Sequence, residues 1–414
     1  MLNGPFSPWP SYTQAEANAV SRVLLSNRVN YWTGSECREF EKEFANWVGV
    51  NHAIALSNGT LALDLALQGL EIGSNYGGNP NDEVIVTPRS FIASVSAVVN
   101  AGAIPVFADV DLESGNLTAS SVLRAITPQT RSVIAVHLGG YPCEMDPIME
   151  LAEVHGIKVI EDCAQAHGAR YKGRSVGSIG HIGAWSFCQD KIMTTGGEGG
   201  MVTCNDEALW RRMWAFKDHG KSWEAVYERD HAPGFRWLHD SIGTNWRMTE
   251  IQGVLGRIQL DRMADWTAAR TANALALSNV LRPFSNSQGP IRLPSLKCNG
   301  YVEDSLQSDV VHAFYKYYFY VRPENLAEGW SRNLIIDEVN KRGVPCLSGS
   351  CSEIYLEKAF DGTGWRPQKP LPVAHELGAK SIVLLVHPTL SQIEIEKTCN
   401  VLDDVLSKTF HPKN

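Results

Sequence analysis

Lys191 lies in the stretch Trp185-Ser-Phe-Cys-Gln-Asp-Lys-Ile-Met-Thr-Thr-Gly-Gly-Glu-Gly-Gly200, where a short apolar run reads as a strand ending at Phe187. A polar segment and then glycines around Glu198 follow it. An amine just past the carboxyl end of a strand, beside a turn whose glycines let backbone approach a ligand, is placed to meet a carbonyl group in a crevice. Asp162 follows Lys158-Val-Ile-Glu161, a run suited to a buried strand. Its carboxylate therefore emerges where water is scarce and needs a cationic or hydrogen-bonding partner. Ser57-Asn-Gly-Thr60 follows the strand-like His52 to Leu56 and opens an Ala/Leu-rich helix to Leu70. That arrangement offers free backbone N–H groups and the positive end of a helix dipole to a phosphate. Phe91 stands beyond a further strand, at Glu83 to Thr87.

Each of these residues also has an ordinary reading. Most lysines are solvated surface charges; Asp162 suits a helix N-cap, and so does Ser57 or Asn58. His167 reads as a satisfied, partly buried histidine, since no further ligands stand at metal spacing. Trp32, in the loop Tyr31 to Gly34, reads equally as a packing anchor or a ligand contact, and Glu198 as turn or surface. Recurrence decides between the readings. A lysine amine for a Schiff base, a carboxylate for a pyridine nitrogen, a helix start and Ser186 for a phosphate, and an aromatic ring for stacking are together the parts of a pyridoxal phosphate site.

These residues have to be positioned by a regular frame, and the chain supplies one. Helical periodicity is read at Ser11 to Ser26, Ser35 to Trp47, Ile92 to Ala101, Ala119 to Ile126, Met145 to His155 and Glu207 to Asp218. Strands are read between them at Ile104 to Ala108, Ser132 to Val136, Lys158 to Glu161, Gly183 to Phe187 and Gly200 to Thr203. Strands alternating with helices predict an α/β fold built on parallel units, with functional residues just past strand carboxyl ends. Residues 221–243 read as a long surface excursion, followed by helices at Thr249 to Met263 and on to Leu281. An aromatic strand from Phe314 to Val321, a helix Asn333 to Arg342, a strand Ile382 to Val386 and a helix Ser391 to Ser407 complete the chain. The division predicted is a large cofactor-binding domain over 1–263 and a smaller α+β domain over 264–414.

Composition narrows the function classes. The 414 residues, 44% of them hydrophobic and 20% charged, are globular in character and long enough for two or three domains. A formal net charge of -8 argues against a nucleic-acid or anionic-membrane partner. No run approaches a membrane span, and Met1 to Ser11 lacks the basic region and apolar core of a secretory leader, so a cytoplasmic protein is expected. The nine cysteines carry no C-x-x-C pair or zinc spacing and are expected to be reduced and mostly buried. No metal is expected.

The motifs have a family likeness. Tyr31-Trp-Thr-Gly34 with Phe40-Glu41, Ser57-Asn-Gly-Thr-Leu-Ala-Leu63, Thr87-Pro-Arg-Ser-Phe-Ile-Ala-Ser94 and Pro105-Val-Phe-Ala-Asp-Val110 contribute to it. Further on stand Glu161-Asp-Cys-Ala-Gln-Ala-His-Gly168, the Lys191 stretch, Gly243-Thr-Asn-Trp-Arg-Met248 and His387-Pro-Thr-Leu-Ser391. Over nearly its whole length the chain resembles the DegT/DnrJ/EryC1/StrS sugar aminotransferases, a branch of the fold-type-I aspartate aminotransferase superfamily.

The resemblance implies a fold-type-I PLP transferase with a large, mostly parallel sheet, and transfer of an amino group from an amino acid, L-glutamate foremost, to a nucleotide-linked keto sugar in deoxyamino-sugar biosynthesis. It implies that Lys191 bonds the cofactor aldehyde and serves as the general base, that Asp162 pairs with the pyridinium nitrogen, and that Gln165 lies by the ring hydroxyl. Phe91 would stack on the ring while Gly59, Thr60 and Ser186 hold the phosphate. Asn245 would reach the phosphate from a neighbouring subunit, which makes a homodimer the expected unit. Three alternatives stand beside this one. A sugar dehydrase would carry histidine where Lys191 stands, and a non-catalytic binding protein on the same fold would have no need of the full constellation. An aminotransferase for free acids would need an arginine aimed at carboxylates, for which Arg247 and Arg322 are the candidates.

Overall fold

The computed structural model of the chain describes residues 5–234, 236–298, 301 and 309–410. Residues 1–4, Phe235 of the 221–243 excursion, and residues 299–300, 302–308 and 411–414 lie outside the described residues. Thr13 starts helix α1 (Gln14–Leu25) with a capping box closed by Glu16, and α2 (Glu36–Val48) stops at Gly49, whose φ of 84° suits glycine. Five apolar runs then become buried strands: β1 (His52–Leu56), β2 (Glu83–Val86), β3 (Ile104–Phe107), β4 (Thr130–Val136) and β5 (Lys158–Asp162). Between them lie α3 (Gly59–Gly69), α4 (Ala93–Asn100), α5 (Ala119–Ala125) and α6 (Met145–His155). A small hairpin, β6 (Arg170–Tyr171) with β7 (Arg174–Ser175), precedes β8 (Ile182–Ser186) and β9 (Gly200–Cys204).

Seven strands make the central sheet in the order β1-β9-β8-β5-β4-β2-β3. The pairs from β8 across to β3 are parallel, as the alternation with helices predicts. β9 departs from that pattern: it runs antiparallel to both β1 and β8. The reason is local, because no crossover helix separates β8 from β9, and the intervening loop turns the chain back at the same sheet edge. Gly200 in β9 consequently pairs with both Leu56 and Ser186, which brings the ends of three strands together at one point.

The rest of the chain builds a second layer. Helices α7 (Glu207–Lys217) and α8 (Trp223–Tyr227) are followed by α9 (Glu250–Asp261), opened by a Thr249/Gln252 capping box, and by α10 (Met263–Leu281). The 221–243 excursion is thus partly ordered, since Trp223 in α8 packs on Trp210 and Trp214. Strands β10 (Ile291–Arg292), β11 (Tyr317–Val321), β12 (Cys346–Leu347) and β13 (Ser381–Leu384) form an antiparallel sheet in the order β10-β11-β13-β12. It carries α11 (Arg332–Lys341), α12 (Pro372–Lys380) and α13 (Gln392–Lys408). The two short strands and α12 escape a sequence reading because each is too brief for its period to register.

Apolar residues of α10, β11, α11, β13 and α13 share one core, including Leu277, Phe319, Ile335, Leu384 and Leu402. Met263, at the start of α10, packs instead with Trp185 and Phe187 beneath the large sheet. That helix therefore ties the two cores together. All nine cysteines are free, six of them buried. No helix among the described residues is long and apolar enough to cross a membrane.

Candidate functional site

The carboxyl ends of β2, β5 and β8 and the start of α3 open on one cavity of about 1070 Å³. Seven of the eight residues singled out from sequence line it: Gly59, Thr60, Phe91, Asp162, Gln165, Ser186 and Lys191. Asn245 does not. It is exposed and bridged through its backbone to Asp218.

At the start of α3 the capping reading holds, and two backbone donors stay unused beside the cap. Asn58 is the N-cap, its side chain accepting from the Leu61 N–H at 3.0 Å. The N–H groups of Gly59 and Thr60 make no hydrogen bond among the described residues, so they remain available for an anion. Ser186 stands directly opposite. A Cβ added to Gly59 would fall 2.4 Å from the Ser186 Cβ, and one added to Gly200 would fall 2.2 Å from the Asn58 carbonyl oxygen. At both positions a side chain would collide with the neighbouring strand or helix start, so only glycine fits. Ser186 Oγ accepts from the Cys188 N–H at 3.3 Å, which leaves its own hydrogen to donate.

Asp162 is buried at the last position of β5. One carboxylate oxygen accepts from Ser94 Oγ at 2.8 Å and the other from the Ala164 N–H at 3.1 Å. Two acceptor bonds leave the carboxylate with capacity for a further donor from the cavity. Ser94 belongs to the 87–94 motif, and its part here was not read from sequence because a serine at a helix start has too many ordinary uses. Gln165 Oε1 accepts from the Gly139 N–H at 2.8 Å, which fixes the amide so that its NH₂ is the free end. Phe91 is 66% exposed, a ring left largely uncovered at the cavity.

The position of Asp162 is set one residue earlier. Glu161 is fully buried and accepts from the N–H groups of Gly177, Ile179 and Gly180 at 2.9, 2.8 and 2.6 Å. His137 Nε2 lies 3.0 Å from it, while His137 Nδ1 accepts from the Cys143 N–H, so the ring proton sits on Nε2 and points at the carboxylate. Burial pushes the Glu161 carboxyl up, but the His137 contact and the backbone donors outweigh it and hold it below its usual range. Cys163 completes a close trio with His137 and Glu161, which reads as a filled hydrogen-bond network and not as a metal centre.

Lys191 is mostly buried. Its Nζ is 3.8 Å from an Asp190 carboxylate oxygen and 5.2 Å from the centre of the Tyr315 ring. Tyr315 in turn donates its hydroxyl hydrogen to Asp190. Burial first, and then Asp190, push that phenol up, so it stays protonated and keeps donating. Trp9 Nε1 donates to the Lys191 carbonyl at 2.7 Å, anchoring the loop from the amino-terminal segment. Asp190, Tyr315 and Trp9 were not read from sequence; two come from distant parts of the chain, and Asp190 looked like one charge among many.

Other expectations need correcting. His167 is fully buried, not partly, and neither ring nitrogen has a hydrogen-bond partner of ordinary geometry. It packs against Trp185 and Phe187, and burial pushes its pKa down to about 3, so it is a neutral core residue. Glu198 is at the surface, as read, and its place is at the cavity rim. Trp32 is a packing anchor, donating to Asp218 at 2.7 Å. Arg247 is paired with Asp218, and Arg322 binds backbone carbonyls at 285, 286 and 289. Neither arginine points to the cavity, so an arginine for a free acid is found at neither position within the chain.

Comparison with known proteins places this geometry. The profile described as the DegT/DnrJ/EryC1/StrS aminotransferase family matches residues 10–403. GDP-perosamine synthase of Caulobacter vibrioides is 34% identical over 370 residues, 89% of each chain. A UDP-N-acetyl-3-dehydro-alpha-D-glucosamine 3-aminotransferase of Acidithiobacillus ferrooxidans is 42% identical over 251 residues, 61% of this chain and 63% of the other. Among solved structures, an aminotransferase from Psychrobacter cryohalolentis superposes with a TM-score of 0.93 at 63% identity, covering 98% of this chain and all of that one.

Proposed function

The chain belongs to the DegT/DnrJ/EryC1/StrS aminotransferase family, and from that premise we propose that it transfers an amino group from an amino acid, L-glutamate foremost, to a nucleotide-linked keto sugar, using pyridoxal 5′-phosphate. The observation that carries the proposal is the convergence of Lys191, Asp162 and the uncapped Gly59 and Thr60 N–H groups on one cavity. The relatives named for GDP- and UDP-linked sugars support the acceptor class.

The residues fit the cofactor by the chemistry of their donors. Gly59, Thr60 and Ser186 offer hydrogens to a phosphate in a cradle that a Cβ on Gly59 would fill. Asp162 keeps acceptor capacity for a ring N–H, Gln165 turns an NH₂ toward the cavity, and Phe91 presents an uncovered ring face. Bound there, the cofactor supplies an aldehyde carbon for Lys191 and an electron sink for the carbon being deprotonated.

The protein's own work is then positioning and proton transfer. Lys191 Nζ takes a proton from the donor α-carbon and later delivers one to the former carbonyl carbon of the sugar. Asp162, anchored by Ser94 and by the backbone, would accept a hydrogen bond from the cofactor's ring N–H. Asn245 serves the neighbouring site in a homodimer, a reading supported by its exposure outside its own cavity and by nearby Ile242, which is 92% exposed. The reaction belongs to deoxyamino-sugar biosynthesis in the cytoplasm.

The test is a panel of GDP-, dTDP- and UDP-linked 3-keto and 4-keto sugars incubated with glutamate, the product being identified by mass and by position of the nitrogen. One panel member should be aminated, and Lys191→Ala should lower turnover by at least a thousandfold while the protein stays folded. Full turnover by Lys191→Ala, or no amination of any sugar, would overturn the proposal.

A further inference from the structure

Behind the wall formed by Asp190 and Tyr315 lies a second cavity of about 290 Å³, roughly ten waters' worth of liquid volume. Two cations, Arg270 and Lys316, line it. Arg270 of α10 is 2% exposed; it donates from one terminal nitrogen to the Phe314 carbonyl at 3.1 Å, and its Nε is buried without a partner. Lys316 stands beside it, its Nζ 5.0 Å from the centre of the same Tyr315 ring that Lys191 faces from 5.2 Å. Neither Arg270 nor Lys316 has a carboxylate within ion-pair distance among the described residues. His387, which also lines the cavity, has its pKa pushed down to about 4 by burial and by these two cations, so it adds no charge at neutral pH. Lys191 and Lys316 thus both face the Tyr315 ring, whose hydroxyl donates to the exposed Asp190 carboxylate.

A buried guanidinium without a counter-ion is among the most costly arrangements a fold can hold. Burial lowers the Arg270 pKa to about 9, a shift in the direction a missing anion produces. The guanidinium fork matches a carboxylate geometrically. Resting on the proposed aminotransferase reading, we propose that this cavity is an anion subsite for a carboxylate of the amino-acid donor, with Arg270 and Lys316 as its ligands. The Asp190–Tyr315 hydrogen bond forms the partition between it and Lys191.

The test uses the cofactor-loaded dimer and two variants, Arg270→Gln and Lys316→Gln. Glutarate, a dicarboxylate with no amine to transfer, is titrated by calorimetry. Each variant should weaken its binding at least tenfold, and the KM for glutamate should rise to match. The KM for the keto sugar, measured in the second half-reaction, should change less than twofold. L-Alanine as donor separates the two carboxylates: its KM rises in the variants if the subsite reads the α-carboxylate and stays constant if it reads the side-chain group. Glutarate binding and glutamate KM within twofold of wild type would overturn the inference. Should Arg270→Gln fail to fold, the partly exposed Lys316 carries the same test. Failure to aminate any sugar would count against the proposed function alone, since glutarate binding is read independently.

Discussion

Gly59 is a residue at which helix stability and ligand binding pull in opposite directions. At the first position of α3, alanine is the better helix former by about 1 kcal/mol, yet its Cβ would fall 2.4 Å from that of Ser186. Gly59→Ala should therefore weaken cofactor binding tenfold or more, read by titrating apoprotein and following absorbance, with no gain in melting temperature. Binding at wild-type strength would show that the cradle is not where the phosphate sits. Asp64, further along α3, carries a different signal. It lines the same cavity, its Oδ1 is buried without a partner, and burial pushes its pKa up to about 6, with Asn100 opposing. Between about pH 4 and 6 the folded state holds this proton more tightly than the unfolded chain does, so stability falls as pH rises through that window. Asp64→Asn removes the dependence. It should gain on the order of 2 kcal/mol over wild type at pH 8 and nothing at pH 4, measured by denaturant unfolding at both values.

At the scale of elements, the strand ends that carry the chemistry were legible, and what holds them there was not. β1, α6 and the sites just past β2, β5 and β8 follow from hydrophobic period and turn residues, because each is a local property of a short window. The antiparallel entry of β9 between β1 and β8 is a matter of pairing, and a five-residue apolar run does not record its partner. Glu161 is the clearest case. In sequence it is one letter of the Glu-Asp motif beside the more conspicuous Asp162. In the fold it joins β5 to the 177–180 turn and to His137, three segments with no shared local pattern. Glu161→Gln would turn an NH₂ group toward backbone donors in a fully buried place, a mismatch worth about 3 kcal/mol. The variant should lose that much stability to urea and bind cofactor more weakly through displacement of Asp162. Unchanged stability would show that the network is slack. The same network should fail in acid: its carboxyl is held below the usual range, so its contribution is present above the unfolded carboxyl pKa and is lost as pH falls through the folded value.

At the scale of the whole molecule, the placement of Asn245 separates two designs. If it served the cavity of its own chain, its side chain would have to line that cavity, but the segment is held in place without doing so: Ser57 N–H donates to the Trp246 carbonyl, Trp246 N–H to the Lys217 carbonyl, and Arg247 is paired with Asp218. Those bonds fix the backbone on both sides of Asn245 and leave its side chain exposed. A site shared across a two-fold axis uses such a residue without moving it. Hybrid dimers decide the matter. Lys191→Ala and Asn245→Ala homodimers should each be inactive or nearly so. In a hybrid, the subunit that keeps Lys191 faces the subunit that keeps Asn245, so one site is intact and the other lacks both residues. Random mixing makes half the dimers hybrids, each with one working site of two, so refolding an equimolar mixture should recover about a quarter of wild-type activity. Sites contained within single chains would recover none, because every chain in the mixture carries one lesion.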